Sequence, residues 1–171
     1  MVAALELFLD TDATRRIRVL WNALESEGVQ SMRSLLGQRH RPHVSLAVAP
    51  RLDPEQVAGA LAGAPVAPPL RLSFQYAGQF VGRVLWLGLV PTPELLAHQA
   101  SVYVRLTRAG LALSEHYQPG RWVPHCTLSM RVPNVLMGVA VRRCLEVLPV
   151  EATVVGGAVT DHARDIAHPL P

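Results

Sequence analysis

The chain has 171 residues, half of them hydrophobic and 17% charged, which suits one domain with a proper core and excludes disorder over most of its length. Its formal charge is +3, and all 16 cations are arginine; composition bias is the simpler source of a lysine-free chain, so the charge permits an anionic ligand without requiring one. Cys126 and Cys144 give no disulfide framework and fit a reducing cytoplasm, and no stretch approaches the ~18 apolar residues of a membrane span.

In chain order, residues 2–9 read as a strand and not a signal peptide, since the run lacks a basic start and contains Glu6. A helix follows over 12–27, with Ile17, Leu20, Trp21 and Leu24 on one face and Gly28 ending it. A polar, arginine-rich loop (31–41) leads into a strand that begins near His43. Asp53-Pro54 supplies an N-cap and a first-turn proline for a short helix to about Gly63. Residues 69–76 form a strand with Leu70, Leu72, Phe74 and Tyr76 on one face and Arg71, Ser73 and Gln75 on the other.

The second half repeats this order. A strand covers 83–90, Thr92-Pro93 starts a helix to about Gly110, and a loop over 115–122 precedes a strand bearing His125. A helix near 134–147 and a strand near 152–160 follow, and the tail 161–171 is either a hairpin or a frayed end. A slide of 82 residues sets Leu5 on Leu87, Leu7 on Leu89 and Arg39 on Arg121. The expected fold is therefore α+β, a single domain over 1–171 with two pseudo-symmetric β-α-β-α-β lobes, about 1–81 and 82–171. Mainly antiparallel sheets form a central cleft, with helices outside.

Pro42-His43-Val44-Ser45-Leu46 and Pro124-His125-Cys126-Thr127-Leu128 stand at equivalent positions of the two halves. Strand periodicity puts His43 with Ser45, and His125 with Thr127, on one face, while Val44, Leu46, Cys126 and Leu128 anchor the other. Two such units facing each other place an imidazole on either side of one anion. In-line displacement at phosphorus needs a base and an acid so placed, and histidine serves as both near neutral pH. Ser45 and Thr127 can donate to the non-bridging oxygens. A metal site fails on ligand count, because only two histidines converge and no acidic cluster flanks them. Alternation separates Cys126 from His125, so Cys126 reads as a core residue and not a nucleophile.

Paired H-x-[S/T] motifs in two pseudo-symmetric lobes resemble the two-histidine (2H) phosphoesterase superfamily, in particular its 2′-5′ RNA ligase/cyclic phosphodiesterase branch. The resemblance covers nearly the whole chain. It implies metal-independent opening of 2′,3′-cyclic phosphates on nucleotides or RNA ends to 2′-phosphates, with no cofactor, and in some members reversible 2′-5′ joining of RNA. Carried over by residue, it implies His43 and His125 as the acid–base pair, with Ser45 and Thr127 holding the phosphate. Many members carry arginine five residues after the second histidine; here that position is Met130, and alternation would aim Arg131 at the histidine face instead.

Further candidates for substrate contact are Tyr117, Trp86, Phe8, Arg71 and Arg121, with Glu6 also on the cleft face of its strand. Trp86 either stacks a base or plugs the cleft floor, and Tyr117 and Trp122 either stack a base or pack their loop. Arg39, Arg41 and Arg121 flank the motifs. His40, His98, His116, His162 and His168 have no repeat partner and are expected mostly on the surface. Two rivals share the motifs: a hydrolase of 2′-5′-linked oligonucleotides or cyclic nucleotide signals, and a non-catalytic RNA- or nucleotide-binding module. The partner in every case is RNA or a nucleotide, with no membrane and no obligate protein partner evident. A cytoplasmic location and a bacterial source fit the composition.

Overall fold

The computed structural model describes residues 3–37, 40–164 and 166–170, so Arg39 lies outside the described residues. Its strands are β1 (Ala3–Leu9), β2 (His43–Ala49), β3 (Arg71–Phe80), β4 (Val84–Leu89), β5 (His125–Ser129), β6 (Val150–Asp161) and β7 (Ile166–Leu170). The helices are α1 (Thr11–Ser26), α2 (Met32–Leu36), α3 (Pro54–Ala60), α4 (Pro93–Arg108) and α5 (Met137–Val147). The tail is thus a hairpin, with β7 paired on β6. The segment read as a polar loop contains α2, whose start the Ser31 hydroxyl caps by accepting the Arg33 amide. Among the described residues no helix is long and apolar enough to cross a membrane.

All strand pairings are antiparallel, in the order β2-β1-β6-β3-β4-β5. The two halves exchange their last strands: β3 pairs with β4 of the second half, and β6 pairs with β1 of the first. β6 pairs with β3 at its start and with β1 thereafter, so it stitches the halves into one sheet. Asp10 reinforces that stitch, because its carboxylate accepts both the Ala13 amide that begins α1 (3.0 Å) and the Thr153 amide of β6 (2.6 Å).

The expected alternation of β1 holds. Leu5, Leu7 and Leu9 are buried with Ile17, Leu20, Trp21 and Leu24 of α1, which leaves Glu6 and Phe8 on the opposite face. In β3 the alternation breaks at a bulge between Phe74 and Tyr76. Leu72 and Phe74 stay in the core, but Tyr76 turns to the other face, where it lies opposite Gly88. The bulge supplies the extra residue that a two-residue period cannot anticipate.

β2 is held from outside by the second half of the chain. Gln99 of α4, 1% exposed, donates from Nε2 to the Leu46 carbonyl (3.1 Å) and the Tyr117 carbonyl (2.7 Å). The Ser114 amide donates to the Val48 carbonyl (2.7 Å), and Trp122 Nε1 to the Ser45 carbonyl (3.2 Å). Gln99→Leu keeps the volume but removes both donors. A buried carbonyl left unpaired costs about 1–3 kcal/mol, so the variant is expected to lose at least about 2 kcal/mol. For a chain of this size that lowers Tm by roughly 4–8 °C, measurable by calorimetry.

Candidate active site

Register places the two motifs in equivalent settings. Phe8 lies opposite His43 and Glu6 opposite Ser45; Gly88 lies opposite His125 and Trp86 opposite Thr127. Both pairs then slip at the same point, so Leu46 and Leu128 are each the extra residue of a bulge, fully buried. The leucine that closes each motif therefore anchors a bend beside the histidine. This register corrects the slide of 82 on the first strands: Leu5 corresponds to Leu85 and Glu6 to Trp86, not to Leu87 and Gly88. The offset stays even, so the assignment of faces survives.

β2 and β5, the two edges of the sheet, pack against each other. Burial pushes the Cys126 thiol up to about 12, which leaves no thiolate for nucleophilic attack. The His125 ring is close enough to His43 for the charge of one to disfavour charge on the other.

The same local bond orients both rings. His43 Nδ1 meets the Arg41 carbonyl at 2.9 Å, and His125 Nδ1 meets the Val123 carbonyl at 2.6 Å. A carbonyl only accepts, so Nδ1 carries the proton in both and Nε2 is the atom left for chemistry. Pro42 and Pro124 lie between ring and carbonyl, and proline favours an extended conformation in the residue before it.

Beyond this shared geometry the surroundings differ. On the first side Glu6 is buried, 2% exposed, with Oε1 3.2 Å from His43 Nε2 and 2.6 Å from His162 Nε2. Its Oε2 accepts from the Thr160 hydroxyl (3.0 Å). Burial alone would raise the carboxyl pKa, but the His43 charge and the bonds from His162 and Thr160 hold it below its ordinary value. With Nδ1 of His43 already donating to Arg41, the contact between Nε2 and a carboxylate requires a cation between them, a proton in the simplest case. His40 packs against Trp21 (5.8 Å between ring centres), His43 (5.1 Å) and His162 (5.5 Å). Burial drives its pKa down to about 3, so this ring is neutral. A cavity of about 280 Å³ opens here, lined by Glu6, Phe8, His40, Arg41, Thr160 and His162 among others.

His40 and His162, expected on the surface, are thus packed around His43, and the ligand-count argument against a metal fails because Glu6 and His162 converge on the same ring. His98 is also drawn in, half-buried with Nε2 on the Val66 carbonyl (3.0 Å). Spacing within a repeat carries no sign of His40 or His162, since the connection after α2 and the turn after β6 deliver them.

On the second side the ring neighbours of His125 are aromatic. Phe80 meets it edge-on (4.8 Å) and Trp86 lies beside it (5.8 Å). Burial lowers the His125 pKa, only partly offset by the bond to the Val123 carbonyl. The aromatic layer depends on two glycines. A Cβ at Gly78 would sit 2.2 Å from the Trp86 ring, and one at Gly88 would sit 2.1 Å from the Tyr76 ring. Each ring fills the space that a side chain would take on the glycine opposite it in register. Trp86, 8% exposed, is therefore the cleft floor, whereas Tyr76, 40% exposed, offers an open ring. Tyr76 and Phe80 were hidden from sequence reading by the bulge in β3 and by the strand's extension to Phe80.

The other candidates fall as follows. The Tyr117 ring packs on the core with its hydroxyl toward that of Ser45, so it meets the site through oxygen and not a stacking face. Burial pushes its phenol up to about 12. Trp122 is buried and packs its loop. Phe8 lies under the Arg41 guanidinium, 4.4 Å from its ring centre. Arg121 pairs with Glu115 at 3.4 Å on the surface. Arg71 is exposed on the face of β3 away from the core, with no contact tying it to either histidine among the described residues. β5 ends at Ser129, so strand alternation does not reach Arg131, which is exposed beyond it.

Phe80→Ala should admit water to the His125 ring and return its pKa toward the ordinary histidine value. An imidazole NMR titration of wild type and variant reads this directly, and the expected direction is upward.

Comparisons with known proteins bear on the fold and the family. Among curated proteins none matches the chain. Among solved structures, a phosphoesterase shares 20% identity over 99% of this chain and 95% of its own, with a TM-score of 0.66. E. coli LigT in apo form shares 20% identity over 99% and 94%, with a TM-score of 0.65. E. coli LigT complexed with 3′-AMP shares 19% over 99% and 95%, with a TM-score of 0.67. At these identities the likeness establishes the fold. The model of the 2′-5′ RNA ligase superfamily matches residues 13–165, most of the chain and both motifs, and on that match this chain belongs to the 2′-5′ RNA ligase superfamily of two-histidine phosphoesterases.

Proposed function

We propose that the protein is a metal-independent phosphodiesterase that opens 2′,3′-cyclic phosphates of nucleotides or RNA ends to 2′-phosphates. One observation carries the reading: equivalent histidines on abutting edge strands, both with Nε2 free of the backbone, stand in opposite electrostatic settings. His125, among Phe80 and Trp86 with a lowered pKa, is the base. His43, with its Nε2 against the Glu6 carboxylate, is the acid. The 3′-AMP complex of E. coli LigT supports a nucleotide ligand for this fold.

His125 Nε2 takes a proton from water as the water oxygen bonds to phosphorus. The bond from phosphorus to O3′ breaks on the opposite side, and the Nε2 proton of His43 passes to O3′. The product is a 2′-phosphomonoester, with His125 charged and His43 neutral until solvent exchanges the protons. Ser45 and Thr127 donate to the non-bridging oxygens, where charge builds in the transition state. Ligation runs the same steps forward with a 5′-hydroxyl in place of water, and cleavage of a 2′-5′ linkage back to the cyclic phosphate reverses them.

In EDTA, purified protein is expected to convert 2′,3′-cyclic nucleotides to 2′-phosphates. His43→Ala and His125→Ala should each lower turnover by ~10²–10⁴. The lowered His125 pKa sets the sign of the pH profile: the base is lost only as pH falls through that value, so the acid limb should lie below the ordinary histidine range. Undiminished turnover in either alanine variant, or nucleotide binding without any turnover, would overturn the assignment, the second outcome favouring a binding module.

A further inference from the structure

We propose that Glu6, His43 and His162 form a site for a divalent transition-metal ion, zinc by donor type, and that its occupancy takes His43 out of acid–base chemistry; the inhibitory half rests on the acid role given to His43 above. Two imidazole nitrogens and one carboxylate oxygen lie within 4.8 Å of one another. Ligand atoms sharing one tetrahedral zinc stand about 3.3 Å apart, given bonds of about 2.0–2.1 Å. The two measured contacts to Glu6 Oε1, 3.2 Å from His43 and 2.6 Å from His162, are already near that spacing, so small side-chain rotations suffice.

The shell around these donors has the features of a metal site. His43 Nδ1 donates to the Arg41 carbonyl, which leaves the Nε2 lone pair for the ion. Glu6 Oε2 is fixed by the Thr160 hydroxyl (3.0 Å), which leaves Oε1 to coordinate. The carboxylate supplies a buried negative charge, and imidazole favours zinc, copper or nickel over magnesium. A second observation points the same way: His40 packs edge-on against both histidines, and its Nε2 is buried without a hydrogen-bond partner among the described residues. The adjoining cavity of about 280 Å³ gives an ion its entry and a water its place as a fourth ligand. An ion on His43 Nε2 occupies the atom that would otherwise hold the proton destined for O3′.

The test uses the full chain freed of metal by chelation. Zinc is titrated calorimetrically and cobalt(II) is followed by its visible absorption, in wild type, His162→Ala, Glu6→Gln and, as a control, the exposed His168→Ala. One ion per chain is expected in wild type and in the control, with at least ~10-fold weaker binding in the other two. Circular dichroism checks the fold, and His162→Gln replaces the alanine variant should that one unfold. No binding, or equal binding in the Glu6 and His162 variants, overturns the site. Separately, zinc is expected to stop cyclic-phosphate turnover by wild type, and His162→Ala should keep a larger fraction of its own metal-free rate at the same zinc concentration. Stoichiometric zinc with undiminished turnover overturns the inhibitory half. Failure of the metal-free protein to turn over any cyclic phosphate would sink the phosphodiesterase reading alone and leave the binding result standing.

Discussion

The outer edge of β2 carries backbone groups that need partners, and the second half of the chain supplies them. Gln99, Ser114 and Trp122 bond the carbonyls of Leu46, Val48 and Ser45. An open sheet edge ordinarily invites foreign strands. Here one edge is closed by the element that leads into the other, so the requirement that protects the fold also carries His43 to His125. The exchange of β3 and β6 between halves has the same effect, because neither half can pair its strands fully without the other.

Much of this was legible in the chain. Alternation in β1 separates Glu6 and Phe8 from the leucines, the two proline-histidine motifs mark the starts of β2 and β5, and the capping pairs Asp53-Pro54 and Thr92-Pro93 place α3 and α4. What was illegible has specific physical causes. Bulges shift a strand's face by one residue, and the bulge at Phe74 and Tyr76 turned Tyr76 and Phe80 toward His125. Loop residues have no period, so nothing local to His40 or His162 indicates that tertiary packing brings each beside His43. Glycines at 78 and 88 read as weak strand formers until the rings lying on them are seen.

The metal argument shows the same divide. Counting ligands along strands finds two histidines, while packing adds a carboxylate and a third imidazole from elements outside the motif. A site assembled by packing is invisible to spacing.

Duplication makes two alike sites, whereas the in-line chemistry proposed above needs two unlike histidines on a common frame. The register locates that divergence. Glu6 faces Ser45 as Trp86 faces Thr127, each one residue past the same slip. At one structural position a carboxylate stands near its histidine, and at the other an indole does. The carboxylate lies against the Nε2 of its ring; the indole, with Phe80, removes water around the other and favours its neutral form. His162 and Thr160 bond Glu6 and lower its pKa, whereas Gly78 makes room for the indole. Each substitution thus required a neighbour that tolerates it, and in both cases β3 or β6, the exchanged strands or the turn after them, provided it. On the mechanism proposed above, the division of labour between acid and base lies in the flanks of the repeat and not in the motifs themselves.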